Sequence, residues 1–237
     1  MVMYMQIYLA ATPEDAKSAA VYGYPLAHMA YYKSFERHSQ SGGWMILSDL
    51  LASATQPREI IDECKHCGFD GVLLDFEGGD RQALLQFANQ LDKLCIQYNL
   101  TLVAGRKFQT SKSLTLVSSG AVSGSLKQRL MKCGAGSVLE IVRLAQDIPL
   151  PAPHGRGITM TRERLNELLL SRRPVTFFSS ELLARYFTYK DESGITHFII
   201  YDDAESISKK LRLAEAIGFS STIMLYSEVK DLLGNIS

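Results

Sequence analysis

Gly68-Phe69-Asp70-Gly71-Val72-Leu73-Leu74-Asp75-Phe76-Glu77 is a short apolar run with acids at both ends. A strand alternates its faces, so Gly71, Leu73, Asp75 and Glu77 point one way while Val72, Leu74 and Phe76 point the other. Two carboxylates then share one face at the C-terminal end of a strand. Working outward, similar runs at 6–10, 28–35, 44–48, 100–104, 114–118, 138–144 and 222–226 alternate with amphipathic stretches. Strands separated by helices predict an α/β class with a parallel sheet, and eight runs suit a (β/α)8 barrel. In such a barrel the C-terminal strand ends hold the active site, which places Asp75 and Glu77 there.

The stretches between the runs carry helix signals. Thr12-Pro13 and Thr55-Gln56-Pro57 set a cap residue and a proline before a first turn, and Asp80 is positioned to cap a helix running to Tyr98. Two regions break the count. Only residues 105–113 separate the fifth and sixth runs, too few for a full crossover helix, so that unit is abbreviated. Residues 174–203 are rich in β-formers around Asp191-Glu192-Ser193-Gly194, which predicts an antiparallel hairpin inserted before the last helix, with Gly194 at the left-handed position. The proline-rich 148–157 stretch is expected to be a surface loop. The whole chain, 1–237, is expected to form one domain.

Composition narrows the function. Twenty-five Lys and Arg balance twenty-five Asp and Glu, so no overall field draws the chain to nucleic acid or an anionic membrane. No apolar run approaches the ~20 residues that span a bilayer. Four cysteines in 237 residues form no disulfide framework and point to a reducing compartment. The first eleven residues lack a basic flank, so no signal peptide is expected and the location is read as cytoplasmic or spore-associated.

Neighbouring carboxylates over an apolar surround raise each other's proton affinity, which can keep one protonated near neutrality as a general acid. A bare Asp-x-Glu is more often a pair of solvated acids, and the surrounding residues shift that weighing. Asp70, Gly71, Asp75 and Glu77 resemble the Asp-Gly-x-Asp-x-Asp-x-Glu signature on the fourth barrel strand of glycoside hydrolase family 18. Tyr186-Phe187-Thr188-Tyr189-Lys190-Asp191, Gly194, His197 and Asp203-Ala204-Glu205-Ser206-Ile207 with Lys210 are similar to a segment of that family's spore-cortex N-acetylglucosaminidases.

The resemblance implies retaining hydrolysis of β-linked N-acetylglucosamine-containing glycans, such as peptidoglycan or chitin, in which the substrate's own acetamido group is the nucleophile. Glu77 would protonate the leaving oxygen. Asp75 would hold the acetamido N–H and support the oxazolinium-like charge. The resemblance implies no metal and no cofactor. Three positions depart from the signature: Leu73 stands where the family has its deepest acid, which predicts a weakened site; the Tyr-Asp of the sixth strand lacks a clear counterpart, Gln146 and Asp147 being offered instead; and Tyr226 replaces the floor tryptophan of the eighth strand. Tyr32 is a further candidate for lining a sugar cleft.

Other residues carry plainer readings. Cys64-Lys65-His66-Cys67 has no second Cys/His pair at metal-ligand spacing, Trp44 begins a strand at the barrel's bottom face and is assigned to packing, and Gly120, Gly124, Gly134 and Gly136 fit no phosphate-binding fingerprint. Two other functions remain open at this level: a non-catalytic glycan-binding barrel, and a barrel enzyme acting on a small metabolite.

Overall fold

The computed structural model describes residues 5–29, 42–134, 136–152 and 157–236. In chain order the strands are β1 (Gln6–Ala11), β2 (Leu26–Met29), β3 (Trp44–Ser48), β4 (Gly71–Asp75), β5 (Thr101–Gly105), β6 (Leu114–Ser118) and β7 (Ser137–Ile141), then β8 (Ala145–Leu150), β9 (Ile158–Thr159), β10 (Phe177–Ser179), β11 (Ala184–Lys190) and β12 (Thr196–Tyr201), and last β13 (Ser221–Leu225). Eight of these, β1 to β7 and β13, are parallel and close into a barrel in the order β1-β13-β7-β6-β5-β4-β3-β2. The expected (β/α)8 architecture is therefore present.

Face alternation sorts the side chains into two layers. Ala10, Ala27, Trp44, Leu73, Val103, Val138 and Ile223 point into the barrel and pack on one another. Tyr8 stacks on Trp44 with ring centroids 3.9 Å apart, filling the interior near the strands' N-terminal ends and giving Trp44 the packing role expected of it. Val72 and Leu74 point outward into a cluster with Ile60, Phe87 and Leu91 of two covering helices, Pro57–Cys67 and Arg81–Tyr98. Each such side chain, fully buried, contributes roughly 1.5–3 kcal/mol.

Local signals explain the helix starts. Pro57 opens its helix at the first position, and Asp80 Oδ1 accepts from the backbone N–H of Gln82 and Ala83 at 2.9 and 3.2 Å. The abbreviated unit between β5 and β6 is a single 3-10 turn, Arg106–Phe108. Asp92, buried on the preceding helix, fastens it by accepting from the Ser111 hydroxyl at 3.1 Å and Lys112 N–H at 3.3 Å.

The insertion is larger than a hairpin over 174–203. It is a five-stranded antiparallel sheet in the order β10-β11-β12-β8-β9 with the helix Arg162–Arg172, so it begins at Ala145. The expected hairpin forms β11 and β12, turning at Gly194 with φ +82° while Asp191 Oδ1 accepts from Ile195 N–H at 2.8 Å. Ile148, Pro149 and Leu150, expected in a loop, are the end of β8 and pair with β12. Proline is tolerated because, among the described residues, β9 pairs with Gln146 and Asp147 and not with the part of β8 that holds Pro149.

Candidate active site

A cavity of about 400 Å³ opens among the C-terminal strand ends. Its floor is apolar: Ala10, Met29, Ile46, Leu73, Leu116 and Ile223. Its walls carry Asp75, Glu77, Glu140, Arg143, Thr159 and Glu228. The structure thus brings Asp75 and Glu77 together at the barrel mouth. Phe76 between them turns outward and meets Phe108 edge-on at 5.2 Å, and that anchor leaves the two acids facing in. Asp49 Oδ2 accepts from Gly78 N–H at 2.9 Å, tying the turn after Glu77 to the helix that follows β3.

The two halves of the acidic stretch do different work. At the other end of the strand, Asp70 Oδ2 accepts from Gly43 N–H at 3.1 Å, and the Asp70 N–H donates to the Gly43 carbonyl at 2.8 Å. A Cβ on Gly71 would lie 2.3 Å from the Thr101 carbonyl oxygen, so β4 and β5 can approach only with glycine there. Asp70 and Gly71 are scaffold, and Asp75 and Glu77 are mouth. Burial, then the negative charges of Glu77 and Asp49, push the Asp75 carboxyl above the ordinary aspartate value.

Three other candidates lie elsewhere. Tyr226 opens the helix Tyr226–Val229 and is buried in the outer layer with Met224 and Val229, its ring 6.2 Å from that of Tyr22. It does not border the cavity, where Leu225 stands instead. The reason is parity: Ile223 and Leu225 face inward, so Met224 and Tyr226 face out. Gln146 and Asp147 belong to β8 of the inserted sheet and do not border the cavity either; Asp147 is engaged by His197 Nδ1 at 2.7 Å. Tyr32 lies outside the described residues.

The missing Tyr-Asp can now be placed, and one further feature went unread in the sequence. The sixth barrel strand ends Ser118-Ser119-Gly120, so serine and glycine follow it where the resemblance implies Tyr-Asp. The seventh carries Glu140 on its inward face, one step beyond Val138, in register with Ser118 on one side and Ile223 on the other. The available signal was a lone acid at an inward position of a Val-Leu-x-Ile strand. Burial raises the proton affinity of Glu140, a hydrogen bond from Ser118 lowers it, and the charge of Asp75 raises it again, for a net rise. At the rim Arg143 grips Asp231 at 2.5 and 3.0 Å and donates to the Glu228 carbonyl at 2.7 Å, while Arg162 pairs with the Glu228 carboxylate.

No protein-family model matches this sequence, and no curated protein does. Solved structures do match. The Bacillus cereus spore cortex-lytic enzyme SleL aligns with a TM-score of 0.67 at 14% identity over 100% of this chain and 76% of its own. A Chromobacterium violaceum chitinase aligns at 0.66 and 13%, over 98% and 99% of the two chains. A Cycas revoluta GH18 chitinase in complex with (GlcNAc)3 aligns at 0.54 and 11%, over 98% of each. The fold is that of the GH18 barrels. The resemblance seen in the motifs and the architecture therefore converge.

Among the described residues no group of His, Cys, Asp and Glu is arranged to hold a metal ion, and no helix is long and apolar enough to cross a membrane.

Proposed function

We propose that the chain hydrolyses β-linked N-acetylglucosamine-containing glycans, of peptidoglycan or chitin type, with the substrate's acetamido group as nucleophile. The observation that carries this reading is the pairing of Asp75 and Glu77 above an apolar floor, at the mouth of a barrel shared with chitinases and a cortex-lytic enzyme. Glu77 lies beyond the end of β4 and is exposed, so it can reach the oxygen between two sugars and give it a proton. Asp75 is one inward step deeper, where it accepts from the acetamido N–H and turns the carbonyl oxygen toward the anomeric carbon. An ionised Asp75 then steadies the positive charge of the cyclic intermediate, an interaction strengthened by the apolar floor.

Glu77→Gln removes the transferable proton and is expected to abolish release from an N-acetylglucosamine aryl glycoside, leaving the thermal unfolding midpoint unchanged. Ser119-Gly120 in place of a tyrosine and an acid favours a second reading, a glycan-binding barrel without turnover. Wild-type protein that binds a chitin or peptidoglycan fragment and cleaves none would establish that reading instead.

A further inference from the structure

Leu73 removes the acid that, by the resemblance, should sit beneath Asp75, yet the cavity is not short of carboxyls. Glu140 enters it from β7, three strands away from β4 around the closed sheet. It occupies the inward position next above Val138, which belongs to the same interior cluster as Leu73. Both acids therefore stand over the same apolar floor.

The surroundings of Glu140 favour its holding a proton. Ser118, its register neighbour on β6, hydrogen-bonds its side chain. The Ser118 oxygen also accepts from Gly120 N–H at 3.2 Å; a hydrogen bond from its hydroxyl favours the ionised carboxylate, and burial together with the negative charge of Asp75 outweighs it. Among the described residues, the charged groups facing the same space are Asp75 and Glu77 from the end of β4, Arg143 from the turn after β7, and Glu228 from the last helix, with Asp49 behind Asp75. Arg143 is engaged by Asp231, and Glu228 by Arg162. Among the described residues, what remains opposite Glu140 is negative.

We propose that Glu140 is the carboxyl partner of Asp75: it keeps the proton of the pair on the seventh strand, so that Asp75 stays ionised, and thereby stands in for the acid that Leu73 displaces. Two carboxyls over a shared low-dielectric floor take up one proton between them more readily than two isolated ones. The more buried Glu140 carries it, its proton affinity raised first by burial and further by the charge of Asp75. No bond other than O–H changes. Glu140 is a positioning residue here, and the proposal rests on the glycosidase reading only for its consequence in turnover.

The coupling is tested without substrate by following the side-chain carboxyl carbons of isotope-labelled protein through a pH titration. Glu140 is expected to titrate above the ordinary glutamate range in the wild type and to shift down in Asp75→Asn. A Glu140 midpoint unmoved by Asp75→Asn overturns the proposal, whatever the activity. The consequence is tested by pH–rate profiles of wild type, Glu140→Gln and Glu140→Leu on the aryl glycoside. Gln mimics the protonated acid, so Glu140→Gln should match the wild type at acid and neutral pH and lose the alkaline fall that Glu140 ionisation causes. Glu140→Leu should lose at least tenfold in kcat throughout. Superimposable profiles for all three overturn the proposal. A wild type with no turnover refutes the glycosidase reading alone, because the titration still decides the coupling.

Discussion

The Asp202 carboxylate and the Lys210 ammonium meet at 2.6 and 2.8 Å with neither side chain exposed. Asp202 Oδ2 also accepts from Leu144 N–H at 2.9 Å, so one buried acid joins the end of β12, the start of β8 and the helix Ala204–Ile217. Burial pushes Asp202 up and Lys210 down, each toward its neutral form, and the charge of each opposes that shift in the other. Removing one partner of such a pair leaves an uncompensated buried charge, which costs about 3–5 kcal/mol. Lys210→Met is therefore expected to destabilise strongly, and adding Asp202→Asn should recover a good part of the loss. Urea unfolding of the single and double variants checks this.

Gly71→Ala brings a Cβ to 2.3 Å from the Thr101 carbonyl oxygen, a backbone atom that cannot turn away. The strands must separate, and the expected result is loss of several kcal/mol or failure to fold, as in other overpacked sites. Ala at Gly105, where a Cβ meets nothing within 4 Å, is the control and should unfold near the wild-type midpoint.

His197 gives the inserted sheet a pH dependence. Burial disfavours its charge, but the hydrogen bonds and charges of Asp147 at 2.7 Å and Asp191 at 3.5 Å outweigh that, and its proton affinity rises. A raised folded-state value means stability fully present below the ordinary histidine value of about 6.5 and lost as pH rises through the higher folded value. Thermal midpoints measured from pH 5 to pH 9 should fall across that window in the wild type. In His197→Gln this component should vanish.

Asp75 and Glu140 have the opposite economy to a structural acid. Their folded-state values are raised, so protonation favours the folded state, and the stability they contribute is present at low pH and lost as pH climbs through the folded values. Asp75→Asn and Glu140→Gln should each raise the thermal midpoint at pH 8 and not at pH 4. Equal shifts at both pH values would remove the electrostatic explanation.

Leu73→Asp places a carboxylate in the barrel's apolar interior, where burial without a partner costs several kcal/mol. With Glu140 already paired to Asp75, no gain in turnover is expected, and the unfolding midpoint should fall. Faster turnover in the Leu73→Asp variant would show that the cavity still lacks an acid.

What was legible in the sequence was what alternation and capping control. The inward Asp75 and Glu77, the outward Phe76, the Asp80 cap and the Gly194 turn all follow from neighbours along one strand or one turn. Parity also held the answer for Tyr226, since Ile223 and Leu225 set the inward face of β13; the family likeness pulled the reading the other way. Where the barrel ends and the insertion begins was hidden, because Leu144 and Ala145 continue the apolar run of β7 and only tertiary pairing with β12 separates them. Glu140 was hidden for a similar reason. Asp75 lies three strands away around the barrel, and nothing local marks that residues sixty-five positions apart line one cavity.

In β4, scaffold and mouth are separated by a strand of five residues, Gly71–Asp75. Deleting one residue between them would hold the foot against β5 and turn every later side chain over, putting Leu74 and Phe76 in the cavity and both acids under the helices. Inserting one would do the same. The strand thus behaves as a ruler whose length has no neighbouring permitted value. Variation in this part of the chain has room only in composition at the outward positions and in the loops beyond Glu77.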